Sequence, residues 1–324
     1  MTTVPLAPFA IEARGLEKRF QNGVVAVKGL DLLISPGESV AFLGPNGAGK
    51  STTIKMLCGI LRPDKGSVKV KGHAAGTSLA NRNLGIVFGA RSQLFFHMSV
   101  EQSLLLQAET YFVPPKDQVA RMNKLAVQFE AKDLLKMRVR ELSLGQRMRC
   151  ELIASLIHQP EIILLDEPTI GLDLQAKHHL RERLREWQKQ FGTTILLTSH
   201  DISDVEVLCD RCVLVQAGEK AYDGPLSQVK GDLKDVRRVK LLLSRARSNF
   251  EAEQARVVTH FAGKMKLSDQ VLGEFELQYE FNLKEVALSD VLSTIASYFG
   301  ESLEDVHLAG VSLEEVIRAQ MVVK

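Results

Sequence analysis

Two stretches of this chain carry residue types and spacings suited to phosphate chemistry. The first is AFLGPNGAGKSTTI at residues 41–54, an apolar run, a glycine-rich turn and then a helical pattern. Gly44, Gly47 and Gly49 let backbone amides close around an anion without side-chain interference, and the helix that follows points its positive end at the same place. Lys50 is then in reach of the β- and γ-phosphates of a nucleotide, and the Ser51 hydroxyl can bind Mg²⁺. The second is EIILLDEPTIGLD at residues 161–173, where Asp166 and Glu167 end a continuous apolar run. A carboxylate at Asp166 suits the hydration shell of Mg²⁺, which takes few protein ligands. Glu167, one residue on, is placed to orient or deprotonate an attacking water. TTILLTSH, at 193–200, brings His200 to the end of the next apolar run.

These groups can act together only if their strands are parallel neighbours, because ligands sit outside the carboxyl ends of such strands. The sequence supports that arrangement. Apolar runs at 25–34, 38–44, 84–89, 161–166, 193–198 and 212–216 alternate with amphipathic stretches at 49–59, 101–112, 116–130, 145–157 and 175–190. Short continuous apolar strands separated by helices imply a parallel sheet covered on both faces. The helical stretch between 100 and 158 interrupts the alternation and reads as a subdomain. Near Gly224-Pro225 the pattern changes. Beyond a basic segment, VKLLLS, FELQYEFNL and LEDVHLAG read as strands, with helices near 284–299 and at SLEEVIRAQ. Residues 235–324 are therefore expected to form a small α+β domain without a motif that carries chemistry.

Taken together the motifs resemble the nucleotide-binding subunit of an ATP-binding cassette (ABC) transporter, over residues 10 to 230. The resemblance implies a P-loop α/β cassette with a mixed sheet core over 1–230, a helical subdomain at about 95–160 and the appended α+β domain. It implies ATP and Mg²⁺ as cofactors. Gly44, Pro45, Asn46, Gly47, Ala48, Gly49, Lys50, Ser51 and Thr52 become the nucleotide cradle, with Ser51 and Asp166 on the metal. Glu167 and His200 become the catalytic pair, and Asp173 closes the D-loop. Phe20, in LEKRFQNGVVAV, matches the aromatic that stacks on adenine, although its residue type suits the core equally well.

The family's signature LSGGQ reads here as LSLGQ, residues 142–146, with Leu144 in place of the first glycine. Ser143, Gly145 and Gln146 can still approach a phosphate at a helix start. In the family, the signature of one cassette completes the site of a second, so a head-to-tail dimer around ATP is implied. A second departure concerns the family's loop glutamine, ten residues before the valine matched by Val100. That position is Ala90, in FGARSQLFFHMSV, and the nearest glutamine is Gln93. Either Gln93 takes over the magnesium contact or the contact is missing. The LSLGQR signature, the FG-x-x-x-QL loop and the C-terminal appendage look like cassettes of ABC-2 type exporters.

Composition narrows the remaining options. The chain has 324 residues, 45% hydrophobic and 25% charged, with a net charge of +2, so no basic field nominates nucleic acid. No stretch reaches the roughly eighteen apolar residues of a membrane span, and the start lacks a secretory pattern. The expected location is the cytoplasmic face of a membrane, held there by separate permease subunits, with Phe95 and Phe96 in the groove that receives them. A soluble cassette ATPase acting on a non-membrane partner is the alternative. Cys209 and Cys212 form a CxxC that lacks further ligands at zinc spacing and reads as packing, and His178-His179 reads as surface.

Overall fold

The computed structural model describes residues 9–89, 91–231, 235–244, 256–261, 264–267 and 276–310. The chain divides into two compact units, 1–226 and 227–324.

In the first unit, six strands form one sheet. They are β3 (Ser39–Leu43), β6 (Leu84–Phe88), β7 (Ile162–Asp166), β8 (Thr194–Thr198), β9 (Arg211–Gln216) and β10 (Glu219–Pro225), in the order β10-β9-β3-β8-β7-β6. All but β10 run parallel. Ile162 to Leu165 and Ile195 to Leu197 are fully buried, so both faces of these strands are covered, which is why the sequence reads there as unbroken apolar runs. Each such side chain contributes about 1.5–3 kcal/mol by leaving water. The parallel pairing sets the carboxyl ends of β3, β8, β7 and β6 side by side.

The sequence expectation needs correcting at its first strand. β2 (Val25–Ile34) lies outside the parallel sheet, in an antiparallel one with β1 (Ile11–Arg19), β4 (Lys65–Val70) and β5 (His73–Ala74), ordered β2-β1-β4-β5. Only one face of this sheet is apolar. Ile11, Ala13, Leu32 and Ile34 join Val40, Phe42, Leu164 and Leu196 in one core. The antiparallel β10 likewise makes the larger sheet mixed rather than purely parallel.

Helices α1 (Lys50–Leu57), α2 (Ser78–Arg82), α3 (Val100–Thr110), α4 (Pro115–Gln128), α5 (Leu144–Leu156), α6 (Leu174–Phe191) and α7 (Ile202–Leu208) complete this unit, and α3, α4 and α5 pack on one another. A short helix, α8 (Leu226–Gly231), follows. All four cysteines are free and buried, and burial pushes the Cys58, Cys150 and Cys212 thiols up to about 12.

The second unit is a four-stranded antiparallel sheet, ordered β12-β13-β11-β14, built from β11 (Val236–Leu243), β12 (Met265–Leu267), β13 (Glu276–Asn282) and β14 (Leu303–Gly310). Leu277, Tyr279 and Phe281 alternate inward along β13 and meet Val291, Ile295 and Phe299 of α9 (Leu288–Phe299). The helix expected at SLEEVIRAQ lies outside the described residues. No helix among the described residues is long and apolar enough to cross a membrane.

Candidate functional site

The turn between β3 and α1 is held open by glycine where a side chain could not fit. A Cβ on Gly44 would stand 2.2 Å from the Val215 carbonyl oxygen. One on Gly49, whose φ is +100°, would stand 2.3 Å from the Ala26 carbonyl oxygen. The Lys50 ammonium folds back along the turn and donates to the Gly44 carbonyl at 2.6 Å and to Pro45 at 3.2 Å. Burial lowers its pKa below the ordinary lysine value, against the opposing pull of Glu167 and Asp166. Lys50 follows β3, and the two carboxylates end β7, on the far side of β8 in the same parallel sheet. No side chain caps α1, so the amides and positive end of its first turn face outward with Ser51, which is exposed.

Asp166 closes β7, and the Thr198 hydroxyl of β8 donates to its Oδ1 at 2.6 Å. The same threonine receives the Glu167 amide, on its carbonyl at 3.0 Å and on its hydroxyl oxygen at 3.2 Å. Glu167 has a φ of +55°, a left-handed conformation that costs a non-glycine residue on the order of 1–3 kcal/mol. The neighbouring strand makes room for it. A Cβ on Gly89 would stand 2.2 Å from the Glu167 carbonyl oxygen, and the Gly89 amide donates to the Asp166 backbone carbonyl at 2.8 Å.

The Glu167 carboxylate accepts from the His200 amide at 3.2 Å, and its Oε1 lies 3.3 Å from His200 Nε2. That second approach lacks hydrogen-bond geometry, so Oε1 is buried without a hydrogen-bond partner among the described residues. An orphan acceptor beside Asp166 suits a bound water or the hydration shell of a cation. Burial raises the Glu167 pKa, opposed by His200 and Lys50, which moves this carboxyl toward the range of a general base. Among the described residues no cluster of three or more His, Cys, Asp or Glu side chains could hold a metal. A magnesium ion needs none, since one carboxylate, one hydroxyl and phosphate oxygens suffice.

LSLGQ forms a second junction of loop and helix. The Ser143 hydroxyl accepts from the Gln146 amide at 3.3 Å, and the Gln146 carboxamide accepts from the Ser143 amide at 2.9 Å, a reciprocal capping box. The Leu144 side chain turns toward Gly171, where a Cβ would stand 2.8 Å from its Cδ2. Asp173 caps α6 by accepting from the Ala176 amide at 2.8 Å. Ser143, Gly145, Gln146, Gly171 and Asp173 line one cleft of about 500 Å³, and the phosphate loop forms no part of its wall.

Phe20 is 40% exposed at the end of β1, so it is not a core residue. The Gln93 side chain is engaged within the chain. Its carboxamide nitrogen donates to the Ile86 carbonyl, and its oxygen accepts from Gln107 at 3.4 Å. β6 is the edge of its sheet, and Gln93 satisfies a carbonyl there. The amide of Gln93 donates to Glu151 of α5 at 3.0 Å, and the Ser92 hydroxyl donates to the other oxygen of the same carboxylate. Ala90 lies outside the described residues. Sequence reasoning passed over Gly89, Thr198 and Glu151. Only Gly89 carried a signal, as a glycine directly after an apolar strand.

Comparison with known proteins places this chain in a family. The sequence model described as "ABC transporter" matches residues 27–170. The ABC transporter ATP-binding protein NatA of Bacillus subtilis (strain 168) is 34% identical over 217 residues, which are 65% of this chain and 88% of that protein. Nod factor export ATP-binding protein I of Burkholderia lata is 36% identical over 223 residues, 68% of this chain and 72% of the relative. Among solved structures, cbiO1 of Clostridium perfringens, part of the ABC transporter complex cbiONQ, has a TM-score of 0.63 at 29% identity, covering 70% of this chain and 92% of its own. The chain belongs to the ABC transporter family, as an ATP-binding subunit. It is an ATPase with the P-loop α/β fold of its relatives.

Proposed function

We propose that this chain is the ATP-hydrolysing subunit of an exporter, working as a pair of copies that drive separate membrane subunits. Residues 1–230 would be the cassette, with a helical subdomain at about 95–160, and 235–324 an accessory domain. The observation that carries the reading is the approach of His200 to Glu167 at 3.3 Å, at the carboxyl ends of β7 and β8, in the sheet whose strand β3 leads into Lys50. Gly44 to Thr52 would wrap the phosphates through backbone amides, and Phe20 would cover the base. Ser51 and Asp166 would hold Mg²⁺, which when bound shields phosphate charge and aligns the terminal phosphate for attack.

Glu167 would orient the attacking water and take its proton. His200 stands beside it, with Nε2 3.3 Å from the Glu167 carboxylate, where it can contact both that carboxylate and the terminal phosphate. The separate cleft lined by Ser143, Gly145 and Asp173 supports a shared site. A second copy would present this cleft to the first copy's ATP, making a self-complementary interface that loosens when the terminal phosphate leaves.

The name of the Nod factor export relative supports export as the direction. The cbiO1 structure, from a subunit of a larger transporter complex, supports separate membrane partners. Phe95 and Phe96 are 48% and 53% exposed, which suits a groove for those partners at the cytoplasmic face of the membrane. The test is Glu167→Gln. The variant should lose at least about a hundredfold in ATP turnover and accumulate as an ATP-bound dimer by light scattering. A variant that stays monomeric in saturating Mg-ATP would defeat the paired-site reading.

A further inference from the structure

Glu167 and His200 sit on different loops, after β7 and after β8, so something must fix the distance between them. The loops meet on one buried carboxylate. Asp204, in the first turn of α7, is fully buried. Its Oδ2 accepts from the Thr169 hydroxyl at 2.5 Å and from the Ser199 hydroxyl at 2.6 Å. Thr169 stands two residues after Glu167, and Ser199 one residue before His200. Oδ1 of Asp204 accepts from Arg181 Nε of α6 at 2.6 Å. Arg181 also reaches Asp201 at 3.0 Å, and Lys177 reaches the same Asp201 oxygen at 2.7 Å.

The three groups bonded to Asp204 are themselves buried, so each bond is made away from water, where leaving a donor unpaired is costly. The left-handed backbone at Glu167 needs such over-determination to persist. We infer that Asp204 is a positioning residue that locks the Glu167 loop to the His200 loop through the Thr169 and Ser199 hydroxyls, with Arg181 holding it from α6. This rests on the reading that Glu167 and His200 act on ATP. Asp204 itself touches no reacting atom; it sets the register between two groups that do.

Substituting Asp204 or Arg181 would leave the other charge buried and alone, and could simply unfold the chain. The hydroxyls are the better probes, because Asp204 keeps its arginine when they go. Thr169→Val, of nearly the same shape, and Ser199→Ala should each lower kcat for ATP roughly tenfold or more while leaving KM near that of the parent and the chain folded, with Tm lowered by a few degrees for the lost buried bond. Thr169→Ser, which keeps the hydroxyl, should restore kcat. In a His200→Ala background the Thr169→Val loss should shrink below about twofold, because its partner in register is gone.

Wild-type kcat in both Thr169→Val and Ser199→Ala would overturn the inference, as would a loss that is undiminished in the His200→Ala background. Glu167→Gln, assayed alongside, separates the two levels. Full activity there would overturn the site reading and this inference with it. An inactive Glu167→Gln beside fully active hydroxyl variants would overturn the positioning role alone.

Discussion

The phosphate loop and the LSLGQ loop are both glycine-bearing turns that feed an α-helix, and they treat their free amides in opposite ways. At α1 the capping position is Gly49, left-handed and without a side chain, so the first amides have no internal acceptor. At α5 the capping position is Ser143, and its exchange with Gln146 satisfies one amide at each end of the box. The first junction leaves those amides open, which suits the anion site proposed there. The second is a finished helix start, stable without any ligand, with Gly145 as its point of close approach. If, as proposed, this loop meets a second copy's phosphate, holding its shape beforehand spares the affinity that ordering on binding would cost.

The largest break in this contrast should come at Gly49. Gly49→Ala forces a β-carbon into the Ala26 carbonyl with φ at +100°, and should cost about 3 kcal/mol in urea unfolding together with nucleotide binding. If fluorescent ATP still binds with unchanged affinity, the open-amide view of this loop fails. Ser143→Ala should be milder. Loss of the cap should lower stability by about 1 kcal/mol and leave binding of ATP to the isolated chain intact. A decrease in nucleotide affinity of the monomer would show that the two loops serve one site within one chain.

The smallest effect concerns Glu151, two turns along the signature helix, which holds Ser92 and Gln93. Burial raises its pKa, only partly offset by bonds from Ser92 and the Gln93 and Leu94 amides. The folded chain thus holds this proton more tightly than the unfolded chain does. Its contribution to stability is present below the ordinary value of 4.5 and is lost as pH rises through the raised folded value. Glu151→Gln, without a titrating carboxyl, should remove that decline. Denaturation midpoints of parent and variant should therefore diverge with rising pH across this window, and parallel curves would refute the linkage.

Legibility followed burial. β7 and β8, covered on both faces, announced themselves as IILLD and TILLT, and the site residues at their ends came with them. β1 and β4 have exposed positions that break up their apolar pattern, and long-range antiparallel pairing decides their place. β2 looked like one more strand of the parallel set, and nothing local distinguishes the two destinations. β13, half-covered, was readable by its strict alternation. The bond from the Gln93 carboxamide to Ile86 was not legible, because spacing along the chain does not say that an edge strand will claim a carboxamide.

A glycine-rich turn, a lysine after it and an acid pair at a strand end are local features, and the order of residues was enough to locate them. Which chain segments lie against one another is a property of the packed core. The left-handed turn at Glu167, the glycine opposite it and the carboxylate shared by two loops came into view only when distant segments met. Side-chain hydrogen bonds across 23 and 35 residues, as at Arg181 and Thr169 with Asp204, have no signature in a linear pattern, because the geometry that makes them exists only after folding.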